Sequence, residues 1–216
     1  LRRYQIYATT TSTCYPLVNP TLLSSKSGGP LAAAWAVLNF LGEEGYLRLV
    51  SEVQQATDRL IAGVKAIPGL DVPGQPAMCL FPIISSQINL FQLCDLMAEK
   101  GWSLQAQFGK AGAPSSLHVS VHYGVVRRVD EFLEALRESV AEVRALPPIH
   151  TAELQDGLRQ MVASNDPDLF GKAMGLAGLS GDSLPRGMAM INTLLEALPG
   201  ELAEDFLREY FNELYG

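Results

Sequence analysis

The sequence predicts an α/β protein with a small α+β domain of antiparallel strands and a helical tail. Three observations predict it. Apolar residues recur at helical spacing in residues 31–67, strand-like and helical stretches alternate in residues 70–146, and the pattern is helical alone from residue 147 onward. The middle part has the order strand, helix, strand, strand, helix, which favours antiparallel pairing within one sheet.

Two helices account for the first of these parts. Residues 31–41 are apolar on nearly every side, which is typical of a helix that protein encloses. Gly42 is predicted to end this helix, with a Gly-Glu-Glu-Gly turn at residues 42–45. A longer helix is predicted from residue 46 to residue 67, with a polar face that suits a position on the surface.

The middle part begins with strand-like residues at 78–84, where Pro82 suggests an edge strand or a bulge. Asn89 is a candidate N-cap of the next helix, and Gly101 is predicted to end it. The remaining strands are expected at residues 102–108 and 117–123, and the last helix of this domain from residue 130 onward.

Composition excludes several classes of function. The chain has 216 residues and a net charge of -7, and its 16 basic residues are scattered, which argues against a nucleic-acid surface. No apolar run reaches the ~20 residues that a membrane-spanning helix needs. The three cysteines lack a CxxC spacing, which favours reduced thiols and a cytoplasmic location, and the three histidines form no metal-binding pattern.

A Ser/Lys/Gly-rich loop directly before the first helix is the most informative motif. Ser24 and Ser25 supply hydroxyls and Lys26 supplies a cation. Pro30 suits the first helical position, so backbone N–H groups at this end point away from the helix and favour an anion. The alternative is a polar loop that only caps the helix.

Residues 24–50, SSKSGGPLAAAWAVLNFLGEEGYLRLV, resemble the segment that links the two domains in pyridoxal-phosphate-dependent decarboxylases and lyases of the aspartate-aminotransferase fold (type I). The resemblance is closest to the sphingosine-1-phosphate lyase group, where a Ser-Arg-Pro-Gly-Gly run precedes the helix. Lys26 stands where that group has Arg, and Ser27 stands where it has Pro. Later pieces are similar to the same family in the same order: INLFQLCDLMAEKGWSLQ, PSSLHVSVHYG and FLREYFNELYG.

The resemblance implies a pyridoxal 5'-phosphate cofactor and a homodimer. It also implies three parts: residues 1–45 as the end of the large cofactor-binding domain and the start of the linking helix, residues 46–146 as the linking helix and the small α+β domain, and residues 147–216 as a helical C-terminal extension. In the family the lysine that carries the cofactor lies upstream of this segment. We therefore expect no catalytic residue here, an inactive segment by itself, and a large domain elsewhere in the same enzyme.

The resemblance also implies the candidate binding residues. Ser24, Ser25 and Lys26 are expected to reach the cofactor phosphate from the neighbouring subunit. His118 is the candidate substrate-binding residue, and the strand period places it on one face with Ser116 and Ser120. The alternative is a histidine that only makes structural hydrogen bonds.

The implied function is carbon–carbon lyase activity, a retro-aldol cleavage of a phosphorylated amino alcohol. An amino-acid decarboxylase of the same superfamily is the first alternative, with an amino acid as the small-molecule substrate. The second is a non-catalytic interaction module that keeps this scaffold. An independent enzyme that uses a histidine or cysteine lacks the partner residues of a catalytic triad.

Overall fold

The structure is a computed structural model that describes residues 6–9, 17–19, 27–109, 112–147, 160, 171–172, 175, 187–198 and 200–214. Its helices and strands form two antiparallel sheets and the helices around them, which confirms the predicted fold class. In chain order they are β1 (Tyr7–Thr9), β2 (Leu17–Asn19), α1 (Gly29–Lys65), β3 (Leu80–Ile84), α2 (Leu90–Glu99), β4 (Gln105–Gln107), β5 (Ser116–Ser120), a 3₁₀ helix (Tyr123–Arg128), α3 (Val129–Ala145), α4 (Ala189–Ala197) and α5 (Gly200–Leu214).

The larger sheet has three antiparallel strands in the order β3-β5-β4. Phe81 lies opposite Val119 in one ladder, and Gln105 lies opposite His118 in the other. Strand β3 is at the edge, as Pro82 predicted. Val121 N–H donates to the Cys79 carbonyl, and in an antiparallel ladder every second residue bonds to the same neighbour, so the backbone N–H and C=O of Phe81 also point toward β5. The backbone of Pro82 points the other way, toward the outer edge of the sheet. The N–H that proline lacks therefore removes no hydrogen bond to β5.

Helix α1 runs through the predicted turn but changes direction in it. Gly42 has φ 61° and ψ -177°, a conformation open to glycine because it lacks a Cβ atom. The helix resumes directly after this kink. The break predicted at Gly42 is therefore confirmed, whereas the turn predicted at residues 42–45 is wrong because the two helical segments join without an intervening loop.

The two halves of α1 differ in burial. In the second half Leu60 and Val64 lie in the main core. In the first half Leu31, Trp35 and Phe40 are 75%, 69% and 88% exposed. The prediction of an enclosed first helix is wrong for the described residues, because none of the elements they form covers it.

The main core lies between one face of the three-stranded sheet and helices α1, α2 and α3. Asn89 Oδ1 accepts the N–H groups of Phe91 and Gln92 at 3.0 Å, so the predicted N-cap of α2 is confirmed. Gly101 has φ 82° and follows the last turn of α2, as predicted. The apolar face of α3 is buried: Phe132, Leu133, Leu136, Val140 and Val143.

A second apolar cluster joins the two ends of the described chain. Ala8 of β1 packs there with Phe91, Phe108, Leu194 and Leu207, the last two from the helical tail. Helices α4 and α5 confirm the last two predicted helices of that tail, while the two predicted before them lie largely outside the described residues. Among the helices described, none has both the length and the apolar character required to cross a membrane.

Candidate substrate-facing and cofactor-facing residues

The three loop residues Ser24, Ser25 and Lys26 lie outside the described residues. The description begins again at Ser27, whose Oγ accepts the N–H of Gly29 at 3.3 Å. Pro30 lies in the first turn of α1, as the sequence predicted. One backbone donor at the start of α1 is therefore already satisfied by Ser27.

His118 lies on β5, on the face of the sheet that points away from the main core. Leu117 and Val119 are buried in that core, whereas Ser120 is exposed and His118 is half-buried. The Nε2 atom of His118 lies 3.0 Å from Ser120 Oγ. The shared face is confirmed, and the histidine has at least one structural hydrogen bond.

The neighbours of His118 on this face are polar or exposed. Ser116 Oγ donates to Gln107 Oε1 at 2.9 Å. Gln105, directly opposite His118, is exposed, as is Leu80 opposite Ser120. Within the described part of the chain, Nδ1 of His118 has no hydrogen-bond partner, which leaves one ring nitrogen for a ligand.

The lysines of the described ranges do not suit covalent attachment of pyridoxal phosphate. Lys100 Nζ lies 2.9 Å from Glu142 and 3.3 Å from Glu138. Hydrogen bonds to Glu142 and Glu138 raise the pKa of Lys100, so its amine stays protonated and is a poor nucleophile. Lys65 and Lys172 are exposed. That no residue here carries the cofactor therefore stays a prediction.

Cys94 lies in a partly buried environment that disfavours its thiolate form. Burial, and secondly the negative charge of Asp95, raises the pKa of Cys94 to about 11, so its thiol is unreactive at neutral pH. Its Sγ donates to the Leu104 carbonyl at 3.3 Å. The part of the chain that is described contains no group of three or more metal-binding side chains.

Two carboxylates hold the helical tail against the small domain, and the sequence did not reveal them. Asp95 accepts the N–H groups of Met188 and Ala189 at 2.9 and 2.8 Å, at the start of α4. Glu196 of α4 accepts the N–H of Gly109 at 2.7 Å and the hydroxyl of Ser115 at 2.6 Å. Each partner is more than eighty residues away in the sequence, so no local pattern marks either contact.

A family model described as "Pyridoxal-dependent enzyme, C-terminal putative HTH domain" matches residues 151–213. This match covers the helical tail. It also includes α4, which contacts the small domain through the hydrogen bonds of Glu196 and of Asp95.

Several curated sphingosine-1-phosphate lyases are similar to the chain. The Arabidopsis thaliana enzyme is 38% identical over 147 residues, which are 68% of this chain and 26% of the relative. The enzyme of Oryza sativa subsp. japonica is 35% identical over 147 residues, again 68% of this chain and 26% of the relative. The chain thus spans about a quarter of the length of these relatives.

Solved structures share the fold. The Burkholderia pseudomallei sphingosine-1-phosphate lyase aligns with a TM-score of 0.50 at 28% identity, over 76% of this chain and 36% of that one. A Lactobacillus brevis glutamate decarboxylase aligns with a TM-score of 0.52 at 13% identity, over 69% of this chain and 36% of that one, and shows the fold alone. By sequence and fold the chain is similar to the C-terminal part of enzymes of the sphingosine-1-phosphate lyase group, and its helical tail matches the family model of pyridoxal-dependent enzymes.

Proposed function

We propose that this chain is the C-terminal portion of a pyridoxal-phosphate-dependent carbon–carbon lyase that acts on a phosphorylated amino alcohol. The identity to relatives named sphingosine-1-phosphate lyase supports this substrate class. In the proposed reaction the bond between the amino-bearing and hydroxyl-bearing carbons breaks. The hydroxyl-bearing carbon leaves as an aldehyde, and the phosphorylated amine gains a proton in its place.

The structural observation that carries the proposal is the exposed first half of α1. At 3.6 residues per turn, Leu31, Trp35 and Leu38 form one stripe, whereas Val37 and Phe40 lie on roughly the opposite side. All five side chains are exposed in this chain. Apolar stripes on two opposite sides favour two covering protein surfaces, for which we propose the large domain of the same enzyme and the second subunit of a homodimer.

The proposed division into parts follows from the same helix. Residues 1–45 would complete the large cofactor-binding domain and begin the linking helix, residues 46–146 would form the linking helix and small domain, and residues 147–216 the C-terminal extension. The kink at Gly42 lies close to the first boundary. The free thiols of Cys79 and Cys94 support a cytoplasmic, reducing compartment.

We assign supporting rather than catalytic roles to the candidate residues. Ser24, Ser25 and Lys26 would contact the cofactor phosphate from the neighbouring subunit. His118 would bind the substrate through its free ring nitrogen on the open face of the sheet. The electron-accepting chemistry would come from the cofactor, held by a lysine elsewhere in the enzyme.

The test is a product assay on the complete enzyme with pyridoxal phosphate and sphingosine-1-phosphate. We expect a long-chain aldehyde and phosphoethanolamine in equal amounts. Release of CO₂ from aspartate or glutamate, without aldehyde, would instead favour the decarboxylase alternative. That alternative has its own support, because the probable L-aspartate decarboxylase of Thermococcus gammatolerans is 25% identical over 120 residues. Absence of both activities would favour the non-catalytic module.

Two substitutions in the complete enzyme test the residue roles. Lys26→Ala should weaken binding of pyridoxal phosphate by about tenfold, the loss of one charge-assisted contact, while Lys65→Ala should not change it. His118→Ala should raise the KM for the phosphorylated substrate, while His122→Ala should leave it unchanged. Unchanged cofactor affinity in Lys26→Ala, or equal KM values in the two histidine variants, would contradict these assignments.

A further inference from the structure

A crevice opens in the larger sheet where β4 and β5 separate. The two strands pair from Gln107 opposite Ser116 to Gln105 opposite His118, and the pairing ends there. Next to this point lies a cavity of about 240 Å³, lined on one side by residues 102–104 and on the other by residues 119–121. The cavity therefore occupies the place where the ladder would otherwise continue.

The register shows which backbone groups face this cavity. Val121 N–H donates to the Cys79 carbonyl, so the backbone polar groups of Val119 and Val121 point toward β3. The backbone N–H and C=O of Ser120 point in the opposite direction, toward the side of β4. If the β4–β5 register continued, Ser103 would lie opposite Ser120. Among the described residues, Ser103 has no backbone hydrogen bond and Ser120 has no ladder partner on this side. Each strand therefore presents an unpaired donor and an unpaired acceptor.

The remaining walls are apolar, with a cation at the rim. Leu60 and Phe132 are buried side chains that line the cavity. Trp102 packs edge-on against Phe132, with ring centroids 5.2 Å apart. The guanidinium carbon of Arg128 lies 4.4 Å above the Trp102 ring. Its Nε donates to Glu131 at 2.8 Å, which leaves the terminal N–H groups for another acceptor within the described part of the chain.

We propose that this crevice binds a small carboxylate that has an apolar body and an amide group, the chemistry of an N-acyl amino acid. The amide would pair with the free backbone groups of Ser103 and Ser120, and Arg128 would hold the carboxylate. A dry cavity of ~150 Å³ accepts benzene, which has six non-hydrogen atoms, so in proportion this volume encloses about ten. The carboxylate oxygens of a slightly larger ligand would lie at the rim, beside Arg128. The apolar walls of the crevice, Leu60 and Phe132, belong to the main core on one face of the sheet, whereas His118 lies on the opposite face. The proposed carboxylate site therefore does not use the candidate substrate-binding residue of the lyase.

The test is a ligand-observed NMR titration of the full chain with N-acetyl-L-leucine. A ligand of this size should bind with a Kd of about 1 mM. Arg128→Gln should weaken binding about tenfold, which is the loss expected for one charge-assisted pair. The matched control is Arg127→Gln, because Arg127 is an exposed neighbour that does not line the cavity.

A second variant covers the case in which Arg128→Gln disturbs the stacking on Trp102. Val125 lines the cavity, so Val125→Phe should fill it and abolish binding while the charge of Arg128 stays. N-acetyl-L-leucinamide, which lacks the carboxylate, should bind as weakly to the unmodified chain as N-acetyl-L-leucine binds to Arg128→Gln. No saturable binding by the unmodified chain, or equal binding by the Arg128→Gln and Arg127→Gln variants, would overturn the proposal and leave a crevice filled by solvent.

Discussion

Asp95 illustrates how a single carboxylate attaches the helical tail to the small domain. Both of its oxygens accept backbone N–H groups at the start of α4. A Cβ atom on Gly187 would lie 2.5 Å from Asp95 Oδ2, so the chain passes the carboxylate too closely for a side chain at that position. Asp95 acts here as a helix cap supplied by a distant element.

We predict that Asp95→Ala lowers the free energy of unfolding by about 1–2 kcal/mol, the usual loss for a removed helix cap. Glu99→Ala is the matched control, since Glu99 is an exposed acid on the same helix. Urea unfolding of both variants measures the difference. Equal stability of the two would show that the cap contributes nothing.

Cys94 gives a prediction about alkaline pH. Burial, then the charge of Asp95, raises its pKa from 9.0 to about 11 in the folded protein, so folding favours the neutral thiol. The resulting stabilisation is complete below pH 9.0 and is lost as pH rises toward 11, because the unfolded chain releases this proton first. Unfolding free energies of the natural chain should therefore fall more steeply over this interval than those of Cys94→Ala. Parallel curves would contradict the assignment.

For single residues, the sequence predicted a role only where that role depends on neighbours a few positions away in the chain. Asn89 and Gly101 were predicted because a cap and a terminating glycine act within a few residues of their helix. Asp95 and Glu196 were not, because their partners are distant in sequence. Ser24, Ser25 and Lys26 remain predictions, since they lie outside the described residues.

Among the elements, α1 and α3 cross at a glycine. A Cβ atom at Gly63 would overlap the side chain of Leu133, which is largely buried. The close approach of the two helices therefore depends on the missing side chain.

We predict that Gly63→Ala destabilises the protein by about 1 kcal/mol, because overpacking of ~1–3 kcal/mol exceeds the ~1 kcal/mol gain in helix propensity. In a Leu133→Ala background the same substitution should become stabilising, since the overlap is gone. Gly45→Ala is the control, as its Cβ would lie 3.4 Å from the nearest side-chain atom. The double-mutant cycle is measured by urea unfolding, and additive effects would contradict the proposed contact.

The elements also show what a periodic pattern leaves open. The long helices and the edge strand β3 were predictable from period and from Pro82. The extents of β4 and β5 were not, because strand ends depend on partners that are distant in sequence. The exposure of the first half of α1 was missed for a related reason: an apolar pattern indicates that a helix is covered, but not which part of a protein covers it.

At the scale of the whole molecule, the first half of α1 exposes large apolar side chains on two sides. Trp35 and Phe40 lie on opposite sides of α1 and are both exposed. We predict that the chain by itself associates through this helix, and that Trp35→Ser and Phe40→Ser each reduce the association. Sedimentation of the two variants measures this, with Glu43→Ser as the polar control on the same helix. If neither variant differs from Glu43→Ser, the stripes are not contact surfaces.

The measurement that tests the central claim most directly is the intact denatured mass of the natural protein after borohydride reduction. This chain alone has a mass of 23.4 kDa. We expect a mass larger by a whole domain together with a covalently reduced pyridoxal phosphate, as befits a working lyase of which this is the C-terminal part. A mass equal to that of this chain, without a cofactor adduct, would contradict the account and favour a non-catalytic module.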